Sequence, residues 1–283
     1  MRRKFEAKIK EVKSMPFVKW VGGKRNLLDY ILPNFPNEYN HYYESFIGGG
    51  AVFFSIPNKP ENTTISDNNF ELIIAYKVIQ KEPQPLIKLL KTHQKNHSKD
   101  YYNKIRSQEP SDQVEMAARL IYLNKTCYNG LYRVNKQGKF NVPMGSYKNP
   151  NIMQEDNILA CHEALKNTKL LYKDFDEIEP KKNDFIYCDP PYHPTSENSF
   201  TSYTKQNFTE TDHVRLRDYL MKLVKNGVYI MLSNSNTKFI RDLYNSDKFH
   251  KEIVYAPRLV SCKPDSREHV EELLITNYPI NIS

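Results

Sequence analysis

The chain has 283 residues, a net charge of +8 and an isoelectric point near 9.0, a balance that suits a polyanionic partner. Hydrophobic residues make up 39% and run the whole length, so the chain is expected to fold as one large domain, or as a core domain with an insertion, rather than stay disordered. No apolar run approaches the ~18 residues of a membrane span, and the charged N-terminus lacks the apolar stretch of a secretory signal, so a cytoplasmic protein is expected.

"KWVGGKRNLL" (19–28) sets a lone tryptophan, Trp20, and a glycine pair between two lysines. Gly22-Gly23 leads into a helix expected from Lys24, whose N–H groups and ammonium suit an anionic group such as a carboxylate. Taken alone, a plain helix start with solvated lysines and a core tryptophan is the stronger reading. "HYYESF" (41–46) reads as a short strand, "IGGG" as a turn and "AVFFSI" as the opening of a helix. "TTISDNNFELIIAYKVI" (63–79) then gives a strand ending at Asp67 and a helix capped by Asn68 or Asn69. Strand, glycine turn, helix, strand, acid is the order of a Rossmann-like nucleotide-binding half. The turn carries F-x-G-x-G at Phe46, Gly48 and Gly50, shorter than the dinucleotide fingerprint, and points to a ligand without a pyrophosphate. Asp67 is placed to accept hydrogen bonds from ribose hydroxyls. A glycine turn that serves only packing, with Asp67 as a helix cap, weighs about equally.

Residues 83–126 read as helical throughout, and 129–150 as a β-hairpin turning at Gln137-Gly138. Strands are expected at 169–175, 184–189, 228–234, 252–256 and 270–278, with helices over 211–226 and 237–245. The fold class is therefore α/β. A Rossmann-like sheet from 1–75 and 166–283 carries a helical and hairpin insertion at 76–165, its hairpin at 129–147. The cysteines (Cys127, Cys161, Cys188, Cys262) form no C-x-x-C pair, so free thiols are expected and a structural metal is not.

"YCDPPY" (187–192) ends an apolar strand on a carboxylate, and ligands bind at such strand ends in open α/β sheets. Two prolines fix φ and remove N–H donors, leaving carbonyls, a carboxylate and the Tyr192 ring to face whatever lies beyond. A proline turn capped by Asp189 leaves that tyrosine unexplained. Methylation of an exocyclic amine on a base uses the whole set. The amine nitrogen's lone pair is delocalised into the ring, and two acceptors, Asp189 and the Pro190 carbonyl, would draw it toward sp³ geometry. Tyr192 would stack on the base, at roughly 1–3 kcal/mol, and positioning would supply most of the catalysis. A base in a duplex must first be flipped out.

With KWVGGK, F-x-G-x-G, Asp67, "YNGLYRVN…GKFNVPMGSYKNP", "YCDPPY" and "SREHVEELLITNY" in this order, the chain resembles the Dam-type DNA N6-adenine methyltransferases. These form the D12 class, which includes relatives that methylate GATC. The resemblance runs nearly end to end and implies S-adenosyl-L-methionine as methyl donor and double-stranded DNA as partner. It carries donor binding onto Trp20, Lys24, Asp67 and Asp189, with the Phe46–Gly50 turn beside the methionine moiety. Catalysis falls on Asp189, Pro190, Pro191 and Tyr192. Tyr128, Asn129, Leu131 and Arg133 match a DNA-reading segment in which the arginine reads a guanine edge, a contact with its own physical rationale. Lys19 matches an outer guanine contact, and Pro143 sits in the matching hairpin strand. Without the resemblance, ordinary surface charges on a hairpin would be the preferred reading of these residues. Phe200 and Tyr203 are expected to touch base or donor, and 258–268 to form a mobile loop near DNA. The expected activity is methylation of the adenine N6 amine in duplex DNA, within GATC, by an enzyme monomeric on DNA. Alternatives are an adenine-N6 methyltransferase acting on RNA, and a non-catalytic DNA-binding module on the same fold. The intact Asp189–Tyr192 motif speaks against the latter.

Overall fold

The computed structural model describes residues 12–195, 208–256 and 270–280. Seven strands form one sheet: β1 (Tyr42–Glu44), β2 (Thr63–Asp67), β3 (Thr168–Tyr172), β4 (Phe185–Cys188), β5 (Tyr229–Ser235), β6 (His250–Ala256) and β7 (Val270–Thr276). Their order is β3-β2-β1-β4-β5-β7-β6, and β7 alone runs against the direction of the other six. The expected Rossmann-like α/β sheet is thus present, with every expected strand in it.

The central strands are apolar on both faces because both faces are covered. Ile186 and Cys188 of β4 pack with α7 (Glu210–Lys225) and α8 (Lys238–Leu243), while Phe185 and Tyr187 pack with Leu27 and Ile31 of the N-terminal segment. The chain leaves β1 toward β2 on one side, whereas β4 continues toward β5 on the other. The strand order therefore reverses between β1 and β4, and the crevice beyond their carboxyl ends is where an open α/β sheet binds ligands.

Three expected helices differ from the sequence reading. Lys24–Leu27 is a single 3₁₀ turn, followed by one α-helical turn, α1 (Leu28–Ile31). "AVFFSI" forms only a 3₁₀ turn at Phe53–Ser55. Val52, Phe53, Phe54 and Ile56 are all buried, so burial on several sides fixes this segment, and no amphipathic face is left to support a helix. The run 83–126 is three helices: α3 (Pro83–Asn96), α4 (Lys99–Ser107) and α5 (Gln113–Thr126). Pro83 starts the first, and the Ser98 and Asp112 side chains cap the other two by accepting from Tyr101 N and Glu115 N.

Helix α2 (Phe70–Lys81) begins where expected, with the Asn69 side chain accepting from Leu72 N at 3.0 Å. It shares one core with α3, α4, α5, α6 (Glu155–Leu165), β2 and β3. Buried Arg119 of α5 reaches Glu71 of α2 at 3.2 Å and caps the end of α4 through the Ile105 and Arg106 carbonyls. The hairpin is looser than a ladder, with two isolated bridges, Cys127–Met144 and Val134–Phe140. Its turn is built on Asn135, whose side chain accepts from Gln137 N and Lys139 N.

Candidate active site

Asp189 is the first residue beyond β4, held at the reversal point of the sheet. Lys24, itself buried, brings its ammonium to 2.7 Å from Asp189 Oδ1 and also donates to the Gly22 carbonyl at 2.6 Å. The anionic partner of this lysine is thus the chain's own carboxylate. Burial pushes the Asp189 carboxyl up to about 6, against the opposing pull of Lys24. The same ammonium lies 4.4 Å from the centroid of the Tyr192 ring, so Lys24 covers one face of that ring. Pro190 is buried and Pro191 exposed. Asp189, Tyr192 and Lys24 therefore form one contact group.

Beneath Asp189, at the end of β1, Glu44 is buried and accepts from Tyr42 Oη at 2.8 Å. Burial pushes its carboxyl up to about 8. Glu44 therefore stays protonated near neutrality, and its site adds no second negative charge behind Asp189.

The glycine turn leaves β1 next. Gly48 N donates to Asp67 Oδ2 at 3.0 Å and Asn69 N donates to Asp67 Oδ1 at 2.9 Å, so this acid ties the turn to the end of β2. Burial pushes Asp67 up to about 6. The Asn68 backbone also donates to it, and three bonds leave part of the carboxylate's roughly four acceptor positions for a further donor. Gly48 has φ +47°, and a Cβ there would come within 2.7 Å of Trp20 Cδ1, so the indole seats directly on the turn. Trp20 also stacks on Tyr132 at 5.5 Å between centroids. Phe46 does not face the indole; it packs with Phe175 and Phe208.

Trp20 joins this turn to the hairpin, and Lys19 lies beside it. Buried Asn124 accepts from Lys19 N at 2.7 Å and donates to the Lys19 and Gly130 carbonyls at 2.8 and 2.9 Å. The Lys19 ammonium reaches Tyr147 Oη at 3.1 Å. Tyr128 and Asn129 are exposed, and Asn129 takes a left-handed φ of 53°. Leu131 is half-buried, and the exposed Pro143 accepts from Tyr128 N through its carbonyl at 2.9 Å. Arg133 donates from Nε to Asn141 Oδ1 at 2.7 Å and from Nη2 to the Asn141 carbonyl at 3.3 Å. Its guanidinium is thus oriented with donors to spare. Lys19, Tyr128, Asn129, Leu131, Arg133 and Pro143 are brought into one region, next to Trp20. Phe200, Tyr203 and 258–268 lie outside the described residues.

Several residues of this site escaped the sequence reading. Glu272 accepts a hydrogen bond from Tyr192 Oη, Asn234 Oδ1 accepts from His193 N at 3.2 Å, and Ser235 Oγ donates to the His193 carbonyl at 2.6 Å. The one available signal was polar residues at strand ends. "LSNS" closes β5 and "EE" opens β7, although both strands are otherwise apolar. Among the described residues no cluster of His, Cys, Asp and Glu could hold a metal ion.

A family model described as D12 class N6 adenine-specific DNA methyltransferase matches residues 20–255. The protein named Type II methyltransferase M1.LlaDCHI, from Lactococcus lactis subsp. cremoris, is 44% identical over 274 residues, 93% of this chain and 95% of its own length. Type II methyltransferase M.MjaIII of Methanocaldococcus jannaschii is 42% identical over 287 residues, 93% of this chain and 99% of its own length. A DNA adenine methylase of Haemophilus influenzae is 33% identical over 283 residues, 97% of each chain.

Proposed function

The chain belongs to the D12 class of N6 adenine-specific DNA methyltransferases, and from that premise we propose that it methylates a flipped adenine within GATC in duplex DNA, with Asp189–Tyr192 holding the base. The observation that carries the reading is the rigid Asp189–Tyr192 segment, held against Lys24 at the reversal point of the sheet.

The methyl donor is S-adenosyl-L-methionine, which supplies an electrophilic methyl group on a sulfonium centre. The chain's residues fit such a donor. The cradle where Gly48 meets Trp20 has no room for a Cβ, and Asp67 at the end of β2 keeps acceptor capacity toward ribose hydroxyls. Trp20, Lys24, Phe46, Gly48, Gly50 and Asp67 would line it, with Asp189 between donor and base. Asp189 and the Pro190 carbonyl would each accept one N–H of the adenine amine, aiming its lone pair. The Tyr192 face not covered by Lys24 would stack on the base.

Residues 76–165 would form the target-recognition part. The proposed guanine contacts are Arg133, already oriented by Asn141, and Lys19, while Tyr128, Asn129, Leu131 and Pro143 would press on the bases. The test is incubation with labelled S-adenosylmethionine and duplexes with or without GATC. Label should enter N6 of adenine only in GATC duplexes, and Asp189→Ala should abolish transfer while retaining DNA binding. Transfer indifferent to GATC would overturn the specificity, and label in RNA but not DNA would overturn the substrate.

A further inference from the structure

We infer that Glu272 is the positioning residue of Tyr192: it holds the tyrosine by its hydroxyl while Lys24 holds one ring face, so the other face is fixed toward the base. The inference rests on the proposed role of Tyr192 as the stacking platform.

The topology places Glu272 there. β7 is the one antiparallel strand among its neighbours, so its opening residues lie level with the carboxyl ends of β4 and β5, where Asp189 sits. Glu272 pairs in register with Ser235, the last residue of β5. Its Oε2 accepts the Tyr192 hydroxyl. Ser235 and Asn234 clip the backbone one residue further on, through the His193 carbonyl and N–H. The segment is thus fastened at Asp189 by Lys24, at the Tyr192 ring by Lys24, at the Tyr192 hydroxyl by Glu272, and at His193 by β5. The hydroxyl lies on the long axis of the ring, so its fastening sets how far the ring leans, while the ammonium over one face sets how the ring is turned about that axis. A carboxylate suits this purpose because a charge-assisted hydrogen bond is roughly twice as strong as a neutral one. The charged and titratable groups around the pair are Lys24, Asp189 and Tyr187, with Glu44 facing Asp189 from β1. The negative charge of Glu272 also lifts the Asp189 carboxyl, so its removal should be felt there.

Four variants test the assignment: Glu272→Ala, Glu272→Gln, Tyr192→Phe and the double variant Tyr192→Phe/Glu272→Ala. Glu272→Ala should lower kcat on the order of 10²-fold, as loss of near-attack alignment does, with little change in KM for either substrate. The double variant should be no worse than the poorer single one, because both remove the same bond. Glu272→Gln still accepts the hydroxyl, so it should keep most of kcat while the acid limb of the pH profile moves to lower pH. A glutamate that acted through its charge alone would lose kcat equally in Glu272→Gln and Glu272→Ala. With 2-aminopurine in place of the target adenine, Glu272→Ala should bind the duplex normally but show higher fluorescence, because the base is no longer stacked on a fixed ring. Additive losses, a Glu272→Gln variant as slow as Glu272→Ala, or unchanged fluorescence would each overturn the inference. If Glu272→Ala does not fold, Tyr192→Phe, which removes the same bond, decides: a kcat equal to that of the wild type overturns the inference. A wild-type protein that fails to methylate DNA would sink the underlying reading, whereas an active wild type with a fully active Glu272→Ala sinks the inference alone.

Discussion

Burial pushes the carboxyl of Asp189 up to about 6, yet as an acceptor for amine hydrogens it must be ionised. Transfer should therefore rise with pH through about 6, and at one unit below that point only roughly a tenth of the groups are ionised. Lys24→Ala removes the cation that opposes the effect of burial, so the same limb should move to higher pH in a kcat profile. At Arg133 the expectation concerns discrimination. Arg133→Ala should narrow the preference for GATC over single-base variants by roughly 1–3 kcal/mol, the worth of a bidentate guanine contact. Asn141→Ala should produce a weaker form of the same defect in competition binding, because it removes the oriented acceptor and spares the guanidinium. Asp189 to Tyr192 could be read in the sequence because they are neighbours in it. Glu272 could not, since it meets Tyr192 across 80 positions and nothing local marks that pairing.

Among elements, the strands and the α2 cap were legible because apolar runs and an Asn before a helical period carry their own physics. The turn after β1 was not, because "AVFFSI" is held by tertiary burial on several sides, which erases the helical signal. The hairpin was legible as a reversal but not in its construction, which rests on Asn124, Asn135 and Asn141 rather than on a ladder of backbone bonds. Gly130 is the point where that construction is tightest. It has φ +65°, and a Cβ would come within 2.5 Å of the Lys19 side chain. Gly130→Ala should destabilise by about 1–3 kcal/mol in denaturant titrations, and it should weaken GATC discrimination more than donor binding.

At the scale of the molecule, burial raises three carboxyls among the described residues: the buried Glu44 to about 8, and the half-buried Asp67 and Asp189 to about 6. Each is protonated more readily folded than unfolded. Its contribution is therefore complete below the unfolded value and is lost as pH rises through the folded one. Stability should fall from about pH 4.5 to 8 on account of Glu44. Glu44→Gln keeps an acceptor for Tyr42 and should flatten that part of a pH series of urea midpoints. An unchanged slope would mean that Glu44 is ionised in the folded chain. The sequence offered no hint of this, because Glu44 lies in an aromatic strand whose depth only the assembled sheet reveals.

The side chain of Asn124 has a consequence for how such proteins diversify. It fastens the backbone of Lys19 on both sides and the Gly130 carbonyl with the same amide. The stretch before Trp20 and the stretch after α5 are therefore held as one piece, though Lys19 and Asn124 lie 105 positions apart. A transplant of 76–165 between relatives would separate Asn124 from the Lys19 backbone that it fastens. A new target preference should be more readily acquired by changing the exposed side chains of Tyr128 and Asn129 than by exchanging the whole stretch.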